Sequence, residues 1–380
     1  MATKQVLVTG GAGFIGSHLA DMLIAQGHAV RVFDNLDPQV HGPGRKTPEY
    51  LANGAEFLKG DVRDVEALRK AMDGVEVVFH LAARVGVGQS MYEVPQYFGV
   101  NEGGTANLWQ VLIDAKESHS VKKVIVASSN TIYGEGCGFC AKCGQVVDLA
   151  ERREEDLKQG IWEVRCPCCK EFLEPRPTPE SKRPNTTSVY AMNKLSQEQL
   201  TLMLGKTYGI PAVATRFFCV YGPRQSLSNP YTGVFAIFAT RVLAGQAPTI
   251  FEDGQQTRDF VHVSDICQGL YKAMETSAAN YEVINIGTGT PVKVTEVGDT
   301  ILAHFKSVKK LEITGKFRKG DIRHCFADIS KARKLLGYLP KYDFATGIRT
   351  FLDWVEQHGP GAKDQFEQST EELKKRGLLV

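Results

Sequence analysis

The chain has 380 residues, 43% of them apolar and 23% charged, with a formal net charge of +2 at pH 7. That length exceeds the usual single core and predicts two lobes with room for an insertion, while the near-neutral balance gives no support to nucleic-acid or membrane binding. No apolar run is long enough to span a bilayer, and no basic n-region or small-residue cleavage site precedes the apolar strand at residues 6–8, so a cytoplasmic enzyme is expected.

Apolar runs at residues 6–8, 29–33, 56–58, 75–79, 124–127 and 212–216 alternate with helical patterns at 17–25, 65–71 and 104–115. Buried strands separated by amphipathic helices predict an α/β fold, a doubly wound parallel sheet covered on both faces, over residues 1–216. Between the first strand and helix, Gly11-Ala12-Gly13-Phe14-Ile15-Gly16 satisfies a dinucleotide fingerprint, and Gly10, Gly13 and Gly16 give it a second register. Such glycines permit a tight turn and close approach of backbone to a pyrophosphate, and the helix opening at Phe14 aims its N–H groups there.

Asp34 ends the second strand, where its carboxylate can accept both ribose hydroxyl protons and would repel a 2′-phosphate. No arginine follows within ten residues, which favours NAD over NADP. Asp61 and Val62 follow the third strand, at the adenine end. Leu81, Ala82 and Ala83 follow the fourth, offering small residues where the backbone passes a cofactor. Ser129 ends the fifth. Tyr190 and Lys194 lie four residues apart, hence on one face of a helix, where the ammonium can lower the phenol's pKa toward general-base use. Ser129 would hydrogen-bond the reacting oxygen and hold it in line. Glycine turn, serine, tyrosine and lysine together point to hydride chemistry on a nicotinamide.

The alternation breaks at residues 135–183, read as an insertion with a charged run at 151–158 and a proline-rich exit. Six of the nine cysteines fall between Cys137 and Cys169. Cys140-x-x-Cys143 and Cys166-x-x-Cys169 match a structural zinc ribbon, although Cys137-x-x-Cys140 is also a CxxC and Cys168 adds a further thiol. A redox pair and free thiols are the alternatives. A site of four thiolates leaves zinc no open position, so the expected roles are to order a substrate loop or add dimer surface. Residues 217–362, rich in glycine and proline loops, read mainly as a smaller substrate-binding lobe, and 363–380 as a peripheral tail.

The motifs at residues 9–16, Gly60-Asp61-Val62-Arg63, 80–83, Asn101, Ser128-Ser129, Tyr133-Gly134, Tyr190 to Lys194, Tyr221-Gly222-Pro223-Arg224, 257–265 and 318–321 occur in this order. The chain in this respect resembles an extended short-chain dehydrogenase/reductase of the nucleotide-sugar epimerase/dehydratase family, from residue 4 to about residue 355 apart from the insertion. The resemblance implies bound NAD, contacted also by Asn35, Asn101 and Phe218, with Lys194 on the nicotinamide ribose. It implies a nucleotide-diphosphate sugar held by Arg84, Thr131, Cys219, Arg224, Arg258 and Arg318, with Asp321 on the nucleotide ribose, and a homodimer packing two helices per subunit.

In that family, members that dehydrate or decarboxylate carry an acidic residue two positions after the catalytic serine or threonine. Here Ser129 is followed by Asn130 and Thr131, which leaves oxidation and re-reduction at C4, a 4-epimerisation. Cys219 replaces the usual asparagine and is only a weak hydrogen-bonding group, so the sugar stays open among types such as dTDP-L-rhamnose, UDP-glucose and UDP-glucuronate. The alternatives are an NADH-dependent 4-keto-sugar reductase, a 4,6-dehydratase recruiting an acid from elsewhere, and a non-catalytic sensor, which would have no need of the Ser129, Tyr190 and Lys194 set.

Overall fold

Seven parallel strands carry the fold: β1 Gln5–Thr9, β2 Ala29–Asp34, β3 Ala55–Lys59, β4 Val77–His80, β5 Lys123–Ser129, β6 Ala212–Phe217 and β7 Val283–Ile286, in the order β7-β6-β5-β4-β1-β2-β3. The computed structural model describes residues 3–44, 46–231 and 233–380. Side chains alternate across the sheet as a period of two requires. Val6, Val8, Val30, Val32 and Phe79 enter one buried cluster, whereas Leu7, Phe33, Val78 and Val124 enter another. Helices α1 Phe14–Ala25, α2 Val65–Met72, α3 Gly104–Ala115, α4 Val189–Thr207 and α5 Val263–Glu275 cover the two faces. Among the described residues no helix is long and apolar enough to cross a membrane.

The sheet does not end at residue 216. Strand β7 pairs in parallel with β6, Val283 opposite Ala214 through Ile286 opposite Phe217, and α5 packs beside α1. The first lobe therefore borrows its last strand and a covering helix from the second half of the chain. The smaller lobe keeps a core of its own around Phe235, Phe238, Phe260 and Phe351.

The insertion forms a separate antiparallel sheet, with Cys137–Cys140 between Gln145–Asp148 and Glu174–Arg176. It docks on the substrate lobe: Gly136 N–H donates to the His324 carbonyl at 2.9 Å, and Thr178 bridges to Ala327. The tail is not peripheral. Its helix Phe366–Lys375 and last strand-like residues are fastened by paired main-chain bonds between Phe317 and Val380, both 2.9 Å, and by Arg241, which reaches Asp364 at 3.3 Å and stacks on Phe366.

Candidate active site

One continuous cavity of about 1000 Å³ runs along the carboxyl ends of the central strands and on under the substrate lobe. Doubly wound sheets place ligands at that edge. It is lined at one end by the glycine turn. Gly10 has φ +68°, and a Cβ on it would stand 2.8 Å from the Ala82 nitrogen; one on Gly16 would stand 2.3 Å from the Gly10 carbonyl. Neither position tolerates a side chain, so backbone alone forms the cradle that opens α1 toward the cavity. These residues fit a dinucleotide's pyrophosphate.

Asp34 ends β2 beside that turn. Its two oxygens accept from Ala12 N–H at 3.1 Å and Leu36 N–H at 2.8 Å, and burial raises its pKa against those bonds. Asn35 donates to Asp61 at 2.9 Å. Arg63 holds the Asp61 carboxyl down at about 2. Gly13, Phe14, Ile15, Val62, Leu81, Ala82, Ala83 and Phe218 line the same cavity. Asn101 does not. It is fully buried behind the 81–84 turn, accepting from Arg84 N–H at 2.8 Å and donating to the Arg84 carbonyl at 3.2 Å. His80 braces the same turn from within, between the Thr9 hydroxyl at 2.8 Å and the Thr105 hydroxyl at 3.0 Å, and burial pushes its pKa down to about 3.

Ser129 closes β5, and α4 starts at a Ser188 cap whose side chain accepts from Ala191 N–H at 3.1 Å. That cap sets the helix so that Tyr190 and Lys194 descend one above the other onto the end of β5. The Tyr190 main-chain N–H is fixed by Ser90 Oγ at 3.1 Å, and the Lys194 ammonium donates to the Ala127 carbonyl at 2.9 Å. Burial pushes the Tyr190 phenol up to about 12, opposed by its hydrogen bond to Ser129, and pushes the Lys194 ammonium down to about 7. Desolvation thus sets the phenol's shift, and the lowering expected from its lysine neighbour does not contribute.

Beneath this trio lies a buried group in which Ser128 and Tyr133 of the motifs above meet Glu198 and Arg216, neither of which has a role assigned from sequence. Arg216 pairs with Glu198 at 2.5 Å, Ser128 donates to Glu198 at 2.8 Å, and Arg216 donates to the Tyr133 hydroxyl at 2.8 Å. It ties β5, β6 and α4 together where Ser129 and Lys194 emerge. The spacing of Glu198 four residues after Lys194 was the available signal.

At the far end, Arg258, Arg318, Asp321 and Cys219 line the cavity. Arg318 pairs with Asp321 at 2.8 Å. Burial works to raise the Asp321 carboxyl, but Arg318 and Arg258 outweigh it and hold it below the usual range. Thr131 also lines the cavity beside Ser129. Arg84 reaches the wall but is already paired with Glu93 at 2.8 Å and Asp37 at 3.3 Å. Arg224 stands apart from the lining, ion-paired with Asp21 of α1 at 2.7 Å and stacked on Tyr50. The tail supplies Phe366, Ser369, Thr370, Leu373 and Leu378 to the cavity.

In the insertion, Cys140, Cys143, Cys166 and Cys169 have their sulfurs within 4.8 Å of one another. The Cys140 and Cys169 sulfurs are 3.3 Å apart, and those of Cys143 and Cys166 3.8 Å. Both CxxC turns close alike, Gly144 N–H on the Cys140 carbonyl at 2.8 Å and Lys170 N–H on the Cys166 carbonyl at 3.0 Å. Main-chain N–H groups of Cys169 and Cys168 pull the Cys166 thiol down to about 6. Cys137 lies outside the cluster, with its thiol toward Asp148 at 3.5 Å.

The sequence matches the family described as NAD dependent epimerase/dehydratase over residues 6–148 and 170–287. It is 32% identical to the dTDP-L-rhamnose 4-epimerase of Burkholderia thailandensis over 360 residues, covering 93% of this chain and 95% of that one. Among solved structures, UDP-glucose 4-epimerase of Thermotoga maritima with UDP-glucose superposes with a TM-score of 0.75 at 31% identity, covering 93% of this chain and 99% of that one. UDP-glucuronic acid 4-epimerase of Bacillus cereus, in complex with UDP-glucuronic acid and NAD, gives 0.74 at 28% identity with the same coverage.

Proposed function

The chain belongs to the NAD dependent epimerase/dehydratase family, and from that premise we propose that it is a nucleotide-sugar 4-epimerase that keeps NAD bound through turnover. The observation that carries this reading is the cavity itself, which joins the glycine cradle, the Ser129, Tyr190 and Lys194 trio, and the Arg258 and Arg318 pair. NAD, when bound, accepts a hydride from the sugar's C4 and returns it.

Burial alone keeps the Tyr190 phenol protonated. Beside the positive nicotinamide ring of bound NAD the phenol would be lowered, so that Tyr190 could take the C4 hydroxyl proton on oxidation and return it on reduction. Ser129 hydrogen-bonds the same oxygen, and Lys194, anchored on the Ala127 carbonyl, stands one helical turn from the phenol, a residue type that can stabilise its ionised form. Arg258 and Arg318 anchor the diphosphate while the 4-keto sugar turns its other face, a task suited to the bidentate guanidinium fork. Thr131, where a carboxylate would be needed to remove a C5 proton, cannot serve as acid or base, which favours epimerisation over dehydration.

One wall of the sugar end carries apolar side chains. Val85 and Met91, 53% and 41% exposed, line the cavity next to Ser90, which holds the Tyr190 backbone. Leu373 of the tail closes on Gly88, 3.1 Å from where a Cβ would stand. An apolar wall of this kind favours a 6-deoxyhexose over a uronic acid, since the cation on it, Arg84, is already paired with Asp37 and Glu93. The deciding experiment is an NMR assay of the purified protein, without added cofactor, against dTDP-L-rhamnose, UDP-glucose, UDP-glucuronate and UDP-N-acetylglucosamine. Interconversion of one 4-epimer pair with no net absorbance at 340 nm supports the reading. Turnover only when NADH is supplied, with NADH consumed on a 4-keto sugar, replaces it by a reductase.

For the insertion we propose a structural zinc ion on Cys140, Cys143, Cys166 and Cys169. Four thiolates around zinc at ~2.3 Å stand ~3.8 Å apart, close to the spacings of the four sulfurs here. We also propose a homodimer across α3 and α4, on the exposed Met192 and Met203 of α4.

A further inference from the structure

Two buried charges of the insertion back the nucleotide end of the cavity. Arg152 and Glu135 have side chains 4% and 3% exposed and pair at 2.8 Å. Arg152 also donates to both oxygens of Glu252, at 3.0 and 2.7 Å, and to the main-chain carbonyl of Asp321 at 2.8 Å. Glu135 accepts from the N–H groups of Arg323 at 2.8 Å and His324 at 3.3 Å.

The segment gripped in this way is the one that carries the cavity's anion-binding groups. On its other side, the carbonyls of Ile322 and Arg323 hold the Arg258 guanidinium, and the Asp321 carboxylate holds Arg318. Residues His324–Cys325 pair with Thr257–Arg258. Glu252 is held in the same way. Its φ of 57° is a left-handed conformation unfavourable to a non-glycine residue, kept between Arg152 and Arg323. Its neighbour Phe251 lines the cavity with Arg318 stacked on it at 5.1 Å.

Residues 144–165, between the two CxxC turns, contain Arg152 and also Glu163, which pairs with Arg323 at 2.5 Å. Fastening Cys140 and Cys143 to Cys166 and Cys169 closes that span into a loop with both ends fixed, which restricts how far Arg152 can withdraw. We propose that the insertion is a positioning device for the nucleotide-diphosphate end of the substrate, with Arg152 as the positioning residue and the metal-closed loop as its frame. This rests on the nucleotide-sugar reading above, which assigns Arg258, Arg318 and Asp321 to that end.

Calorimetric titration of UDP and dTDP into NAD-loaded protein tests it, across wild type, Arg152→Met, Arg152→Lys and metal-stripped wild type, with NAD content and melting temperature recorded for each. Arg152→Met is expected to weaken nucleotide binding about tenfold, with NAD content unchanged, KM raised and kcat retained. Metal removal acts in the same direction, and Arg152→Lys recovers part of the affinity. Wild-type Kd in Arg152→Met, or a fallen kcat at unchanged KM, overturns the proposal. If that variant does not fold, metal-stripped protein and Glu163→Gln decide on the same Kd, and wild-type affinity in both overturns it. Failure of wild type to bind either nucleotide sinks the nucleotide-sugar reading first, and the proposal with it.

Discussion

Thr131 gives Ser129 two hydrogen bonds, its main-chain N–H reaching Ser129 Oγ at 3.2 Å and its hydroxyl at 2.9 Å. With Ser129 occupied as an acceptor, its own proton is directed to the oxygen it must steady, either the Tyr190 phenol or the sugar hydroxyl. Replacing Thr131 by Val removes one of the two donors and leaves the backbone bond. A neutral hydrogen bond contributes about 1 kcal/mol, so kcat should fall roughly fivefold at unchanged KM, and Thr131→Ser should restore it. Steady-state kinetics of the three proteins check this. A kcat equal to wild type in the valine variant would remove Thr131 from the reacting geometry.

His80 makes the protein acid-sensitive. Its pKa is about 3, lowered by burial between Thr9 and Thr105, against about 6.5 in the unfolded chain. The unfolded state therefore binds the extra proton between those values, so this contribution to stability is complete above pH 6.5 and is lost as pH falls toward 3. From pH 7 to pH 5 the loss should be about 2 kcal/mol. Urea unfolding at the two pH values, in wild type and in His80→Gln, measures it. The glutamine variant should be less stable at pH 7 and lose less on acidification; an equal loss in both assigns the acid sensitivity to other groups.

The six strands and the Tyr190 and Lys194 pair were legible because each is local. A strand needs a short apolar run, and Tyr190 and Lys194 need only one helical turn between them. What escaped depends on distant parts of the chain. β7 is a four-residue strand, Val-Ile-Asn-Ile, separated from β6 by the whole first half of the substrate lobe, and its Asn285 is fully buried, accepting from the Tyr133 hydroxyl at 2.7 Å. Arg152 sits in a run of charges that reads as a solvated face, and its partner Asp321 is 169 positions away. The tail looked polar throughout, yet Phe366, Ser369 and Leu373 fall at helical spacing and turn one face inward.

Cys219 lies in the cavity close enough to Arg258 to invite a nucleophilic role. Burial nevertheless pushes its thiol up to about 11, outweighing the pull of Arg258. Near pH 7 it is a neutral thiol, and oxidation at C4 needs no covalent step. Cys219→Ser should retain kcat within about threefold, and mass spectrometry should show slow alkylation of Cys219 by iodoacetamide at pH 7. Loss of turnover by three orders of magnitude would instead make the sulfur part of the chemistry.

The four clustered cysteines should carry about one equivalent of zinc per chain, measurable by plasma mass spectrometry. Cys143→Ser and Cys166→Ser should lose it and melt several degrees lower. Cys137→Ser should keep it, since its thiol faces Asp148 outside the cluster. Cobalt substitution should give the intense absorption of a tetrahedral tetrathiolate. Full zinc content in Cys143→Ser, with loss in Cys137→Ser, would move the site to the other CxxC.

The tail closes over one wall of the cavity. Leu373 meets Gly88 on the wall that also carries Val85 and Met91, and Arg376 stacks on Tyr92 at 4.3 Å, holding the helix to that wall. The glycine cradle and Asp34 lie at the other end of the cavity and touch none of these groups. Leu373→Ala removes apolar surface from the sugar end, and the lost contact of about 1.5 kcal/mol corresponds to roughly a tenfold rise in KM for the nucleotide sugar. Deleting residues 363–380 should raise it further, because Arg241 then loses Asp364 and Phe366 together. NAD should co-purify with both variants at wild-type levels, since the tail contributes nothing to its cradle. Loss of NAD along with the sugar would mean that the tail holds the two lobes together, whereas an unchanged KM in both would show that substrate never reaches that wall.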